Sequence, residues 1–267
     1  MAKFLYGILL LLALAGCARS HVVSDMAEDT DWMRMDAEAP LPAVGWVRGQ
    51  AKTVHIYIEG DGVAYSTRTS PSPDPTPITP TALLLARQDN APAVAYLGRP
   101  CQYVTGDACT TTCWTTGRFS ENVVKTENQL VDRAKRATGA QQVVLIGFSG
   151  GGAVAALLAE ARDDVAELIT VCGNLDHTVW TRMHNVTPLY GSLNPADKAA
   201  RLASLRQIHL LGEEDTNVTR RVTDSFVAKL PKGASVLIRT IPGLAHGGEA
   251  WAEVWPGILA GIVHLPE

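Results

Sequence analysis

The sequence predicts an α/β fold: a mainly parallel sheet, doubly wound, with helices on both faces. Short apolar runs rich in β-branched residues recur along the chain, at 53–58, 93–97, 143–146, 166–172, 207–211 and 235–241. Such runs read as strands, the wholly apolar ones as strands buried on both faces. Helix-forming stretches separate them, and strands alternating with helices build parallel sheets. The 267 residues, 46% hydrophobic and 19% charged, suit one large globular domain with a sizeable core.

In order, Thr53 to Ile58 is the first strand and ends in Glu59-Gly60-Asp61-Gly62. Positions 66–81 hold five prolines among Ser and Thr, a composition that reads as a loop. Two readings stand for it: an excursion without a role, or a border of the substrate entrance. A short helix over 81–87 and a strand over 93–97 follow. Ser120 caps a helix that runs to Thr138, with Gly139 as its stop and Val123, Leu130, Val131 and Ala134 on one face. After the strand 166–172 the chain from Gly173 to Ala200 reads as irregular. Within it His177, Trp180 and His184 are candidates for pocket walls or for plain packing. Val218, Val222, Phe226 and Leu230 share a helix face. The terminal helix carries Trp251, Trp255 and Ile262, and is expected to break or kink near Pro256.

The strand at 143–146 leads into Gly147-Phe148-Ser149-Gly150-Gly151, and helix-forming residues from Ala153 follow. Strand, G-x-S-x-G and helix are the context of a nucleophile elbow, a strained turn that exposes a serine oxygen at the top of a sheet. Here the sequence resembles the α/β-hydrolase superfamily, over about residues 50 to 265. The resemblance implies a triad in the order Ser, Asp/Glu, His, each member on a loop after a strand. Ser149, Asp215 and His246 hold those places, Asp215 lying 66 positions after Ser149 and His246 a further 31. Asp215 sits in Gly212-x-x-Asp215-x-x-Val218, similar to the acid loop of the superfamily. Glu213, Glu214 and Asp176 stand in reserve as the acid. The resemblance also implies an oxyanion hole from the N–H of Gly150 and that of Asp61 or Gly62. Many members have His-Gly where this chain has Glu59-Gly60. A backbone donor tolerates the change.

The implied chemistry is acyl transfer to Ser149, with His246 as base and Asp215 as its orienting carboxylate. It needs no metal and no organic cofactor. Carboxylic esters, small-molecule or lipid, are the leading substrate class. A peptidase or thioesterase on the same fold is the alternative. An envelope lipoprotein that keeps the fold without catalysis is the reading from another class. The net charge of −4 offers no footprint for nucleic acid.

At the N-terminus, Lys3 precedes an apolar run from Phe4 to Ala15 that ends in Leu14-Ala15-Gly16-Cys17. The run is too short to span a bilayer and has the length of a signal h-region. The tetrapeptide resembles a bacterial lipobox, which implies removal of residues 1–16, lipidation of Cys17 and anchoring to the outer membrane. Residues 17–48 are then a tether and the first edge of the fold. Residues 49–267 form the catalytic domain, with insertions at about 63–81 and 173–204. Cys101, Cys109, Cys113 and Cys172 remain, an even number that favours at least one disulfide in an exported chain, with three pairings open. Cys172 also reads as a small core residue.

Overall fold

The computed structural model describes residues 25–263 apart from Ala27. The lipobox and Cys17 lie outside the described residues.

Eight strands form one sheet: β1 (Met33–Ala37), β2 (Ala43–Gly49), β3 (Thr53–Ile58), β4 (Ala93–Leu97), β5 (Gln142–Phe148), β6 (Val165–Val171), β7 (Arg206–Gly212) and β8 (Val236–Ile241). Their order is β1-β2-β4-β3-β5-β6-β7-β8. From β4 to β8 every pairing is parallel. β1 pairs with β2, and β2 with β4, in antiparallel register. The fold class is therefore the one the sequence predicts. β1 and β2 add a hairpin edge whose strands the sequence reading does not delimit.

The helices are α1 (Thr81–Arg87), α2 (Glu121–Thr138), α3 (Gly150–Ala161), α4 (His177–His184), α5 (Arg220–Val227) and α6 (Glu249–Val263). Alternating strand residues divide the core in two. Val54, Ile56, Ile58, Val143 and Leu145 pack with α2 and α3 on one face. Tyr57, Tyr96, Val144, Ile146, Ile208 and Leu210 pack with α1 and α6 on the other. Period-two alternation with both sides apolar is what a buried parallel strand requires.

Local chemistry sets the helix ends. The Ser120 hydroxyl accepts from Val123 N at the start of α2, and Gly139 ends it at φ 70°. α6 continues through Pro256 without the expected break. Trp255, on α6, donates from Nε1 to the Tyr57 hydroxyl at 2.9 Å, and that hydroxyl donates to Asp89 at 2.7 Å. This ties α6 to the central strand β3. Between Gly173 and Ala200, α4 forms where the sequence reads as irregular. Asp176 caps its N-terminus by accepting from Thr178 N and Val179 N, and Asn185 ends it in the left-handed region. Among the described residues no helix is long and apolar enough to cross a membrane.

Of the cysteines, Cys101 and Cys109 form a disulfide. At least one bridge is what the sequence favours; Cys113 and Cys172, the other two candidates, are free thiols. Cys172 is buried at the end of β6, as a small core residue would be.

Glu127 on α2 is buried without a hydrogen bond to either oxygen, its nearest cation being Arg99 Nε at 3.6 Å. Burial pushes its carboxyl from 4.5 up to about 8, against the pull of Arg99. The folded chain therefore keeps a proton that the unfolded chain releases, and stability is lost as pH rises across that window. We expect wild-type protein to lose urea resistance more steeply than Glu127→Gln between about pH 5 and about pH 8. Parallel profiles for the two proteins would contradict this.

Candidate active site

The site sits at the C-terminal ends of β3, β5, β6, β7 and β8. β5 runs into Ser149, which adopts φ 52° and ψ −118°, a conformation L residues rarely hold. Its surroundings enforce it. Ser149 N donates to Val171 O at 2.9 Å, and its carbonyl accepts from Gly152 N at 3.0 Å and Asn174 N at 2.9 Å. The flanking glycines allow the close approach that follows. A Cβ on Gly147 would lie 2.3 Å from Gly151 O, and one on Gly151 would lie 2.2 Å from Ile58 O.

The turn after β8 brings His246 over this serine. His246 Nε2 lies 2.9 Å from Ser149 Oγ, and Nδ1 lies 2.8 Å from Asp215 Oδ2. Asp215, in the loop after β7, accepts on Oδ1 from Asn217 N at 2.8 Å and Val218 N at 2.9 Å. Burial alone would raise its carboxyl. The bond to His246, its charge, the Val218 N–H and the Cys172 thiol outweigh burial and hold it below the usual carboxylate value. Burial, with Asp215 beside it, pushes the Cys172 thiol well up, so it stays protonated and donates. Cys172, Asp215 and His246 place possible ligand atoms within 4.8 Å of one another. Those atoms are engaged with each other rather than held open around a cation.

The structure thus joins the three residues that the sequence places in series. It separates the reserve acids from them. Asp176 caps α4 and accepts from Ser225 Oγ at 2.7 Å and Asn194 Nδ2 at 3.1 Å. Glu213 accepts from Gly243 N at 3.1 Å, and Glu214 is exposed.

A cleft of about 480 Å³ opens over Ser149. Asp61, Gly62, Arg118, Asn174, Trp180 and Asn217 are among its walls. Pro77, Ile78 and Thr79 of the proline-rich segment also line it, so that segment borders the site. Of the three candidate wall residues, Trp180 alone reaches the cleft. His177 packs on Phe119, and His184 Nε2 lies 2.7 Å from Asn217 O.

The turn after β3 is more elaborate than a backbone donor needs. Asp61 presses on Gly150: a Cβ there would fall 2.0 Å from Asp61 Oδ1. Its carboxylate meets Arg99 Nη1 at 3.2 Å and Arg118 Nη1 at 2.7 Å. Gly62 stands at φ 60° against Pro75 O. Glu59 is 1% exposed and accepts from Gly60 N at 2.8 Å, Ala82 N at 3.4 Å and the Tyr96 hydroxyl at 3.1 Å. Burial raises its carboxyl to about 7, with those donors opposing the rise. Arg99, Arg118 and Asn174 escape sequence reasoning, and Glu59 shows there only as a departure at the turn. The one available signal was a Glu where many members carry His.

Solved structures similar to this chain share one architecture. Est1E from Butyrivibrio proteoclasticus is 14% identical and superposes with a TM-score of 0.58, covering 88% of this chain and 100% of its own. The fold is the α/β-hydrolase fold. The esterase Pf2001 of Pyrococcus furiosus has that fold too, at 14% identity and a TM-score of 0.61, covering 90% of this chain and 93% of its own. A Xanthomonas campestris a/b serine hydrolase without lid matches at 15% identity and a TM-score of 0.56, covering 89% and 97%. No protein-family model matches the sequence, and no curated protein does. Within this α/β-hydrolase fold, Ser149 lies on the sharp turn between β5 and α3.

Because Gly151 has no room for a methyl group, Gly151→Ala is expected to lower the melting temperature by roughly 5–10 °C. An unchanged melting curve with retained fold would contradict the close approach of Gly151 to β3.

Proposed function

We propose that the protein is a serine hydrolase of carboxylic esters. One observation carries the reading: an unbroken hydrogen-bonded series from Ser149 Oγ through both His246 nitrogens to Asp215. A hydroxyl is a weak nucleophile at neutral pH, and a base in contact with it removes the obstacle.

Ser149 Oγ attacks the ester carbonyl as its proton passes to His246 Nε2. Asp215 holds Nδ1–H, fixes the tautomer and stabilises the imidazolium. The tetrahedral oxyanion is held by the N–H of Gly150 and that of Asp61 or Gly62. His246 returns the proton to the leaving alcohol, and an acyl-enzyme remains on Ser149. Water then attacks the acyl carbonyl as its proton passes to His246. The second tetrahedral intermediate expels Ser149 Oγ, which takes that proton back from His246 as the acid is released. The solved esterases of the same fold support this choice among acyl transfers.

Kinetics on p-nitrophenyl acetate and butyrate test it. Ser149→Ala is expected to cut kcat by roughly a millionfold, and Asp215→Asn by about ten thousandfold with KM little changed. Full activity in Ser149→Ala would sink the proposal.

We further place the enzyme in the cell envelope, tethered by lipid on Cys17, on the strength of Leu14-Ala15-Gly16-Cys17. Globomycin is expected to leave an unprocessed precursor in a bacterial host. Normal maturation with the drug present would count against lipidation.

A further inference from the structure

The cleft over Ser149 presents more hydrogen-bond donors than the protein satisfies. Arg118 lines it and is only 6% exposed. Its Nε donates to Thr115 O at 2.7 Å and its Nη1 to Asp61 Oδ2 at 2.7 Å. Its Nη2 meets no acceptor among the described residues. Asn174 is 3% exposed, and its backbone N–H, bonded to Ser149 O at 2.9 Å, fixes it beside the nucleophile. Neither end of its side-chain amide is paired among the described residues, and the oxygen is fully buried. Asn217 accepts from Trp180 Nε1 on its side-chain oxygen at 3.2 Å, while its Nδ2 has no acceptor among the described residues. The carboxylate acceptors on the same walls are occupied. Asp61 serves two arginines, and Glu59 serves two backbone N–H groups and Tyr96.

Charge points the same way. Around Asp61, two guanidinium groups face one carboxylate, and the second carboxyl of the cluster, Glu127, is neutral at neutral pH. Two guanidinium groups thus share a single ion-paired carboxylate beside the reacting serine. A guanidinium N–H that is open to the cleft and has no protein acceptor is a ready donor for an anionic partner.

We infer that this cleft is a subsite for an ester that carries a second, free carboxylate, held by Arg118 Nη2 with Asn174 and Asn217 as neutral donors. Guanidinium and carboxylate match in geometry and charge, and buried charge-assisted bonds are the strong ones. The inference rests on the hydrolase reading and names its substrate class.

The test compares esters that differ only in the carboxylate, following released acid by titration. In one arm, methyl hydrogen succinate, glutarate and adipate are set against methyl butyrate, pentanoate and hexanoate, which places the charge on the acyl side. In the other, acetoxyacetate is set against ethyl acetate, which places it on the alcohol side. In at least one arm the charged ester is expected to have a kcat/KM roughly tenfold to a hundredfold higher, chiefly through KM. Arg118→Gln should abolish that preference and Arg118→Lys restore part of it. Ratios near one in both arms for the wild-type protein would overturn the subsite while leaving the hydrolase in place. A preference that survives Arg118→Gln would overturn the assignment to Arg118. Failure of the wild-type protein to cleave any ester would overturn both readings. The wild-type ratio decides even if the Arg118 variants do not fold.

Discussion

Ser149 is held at φ 52° and ψ −118°, and the site is arranged around keeping it there. Ser149 N bonds to the end of β6, and its carbonyl accepts from Gly152 and from Asn174. Gly147 and Gly151 bring the elbow into contact with α3 and with the end of β3. A strained residue persists only where its neighbours over-determine it. The result is a hydroxyl whose position is fixed relative to β3, β6 and β8 at once. That is the requirement for a nucleophile that must meet a base from one side and oxyanion donors from another.

The second constraint is electrostatic. Carboxylates stand beneath the place where negative charge would develop: Asp61 against Gly150, and Glu59 under the same turn. Left ionised and unpaired, they would oppose an oxyanion. Arg99 and Arg118 neutralise Asp61, and burial raises Glu59 to about 7. On the acid side the balance runs the other way. Donors from Asn217, Val218, His246 and Cys172 keep Asp215 ionised despite burial. Carboxyl groups within one site are thus driven in opposite directions by their donors and their solvent.

What the sequence displays is local. The β-branched runs locate β3 to β8: β4 and most of β5 are buried and apolar at nearly every position, while β8, with Arg239 and Thr240 exposed, shows by β-branched content alone. The elbow is legible because strand, G-x-S-x-G and helix are contiguous, although only Gly147 answers a nearby residue, Gly151, while Gly150 and Gly151 make room for Asp61 and Ile58 far along the chain. Asp215 and His246 follow strands whose order is readable, so their convergence on Ser149 could be anticipated. What stays hidden depends on distant partners. Arg99 and Arg118 meet Asp61 across 38 and 57 residues, and nothing near either arginine announces it. β1 is only five residues long and carries Met, Arg and Asp in place of β-branched residues, and β1 and β2 become strands through antiparallel pairing at the sheet edge. Asp176 looked like an acid after a strand, as Asp215 does. Which of the two reaches the imidazole is decided by the loop each one caps. The bridge between Cys101 and Cys109 was one of several possible pairings until the loop was folded.

The central claim is that the elbow and the His246–Asp215 pair together activate one serine. Intact-mass and peptide analysis after treatment with a fluorophosphonate probe tests it most directly. A single adduct on Ser149, absent when His246 is replaced by Ala, is the predicted result. No adduct on the native protein, or an adduct on another residue, would contradict the account.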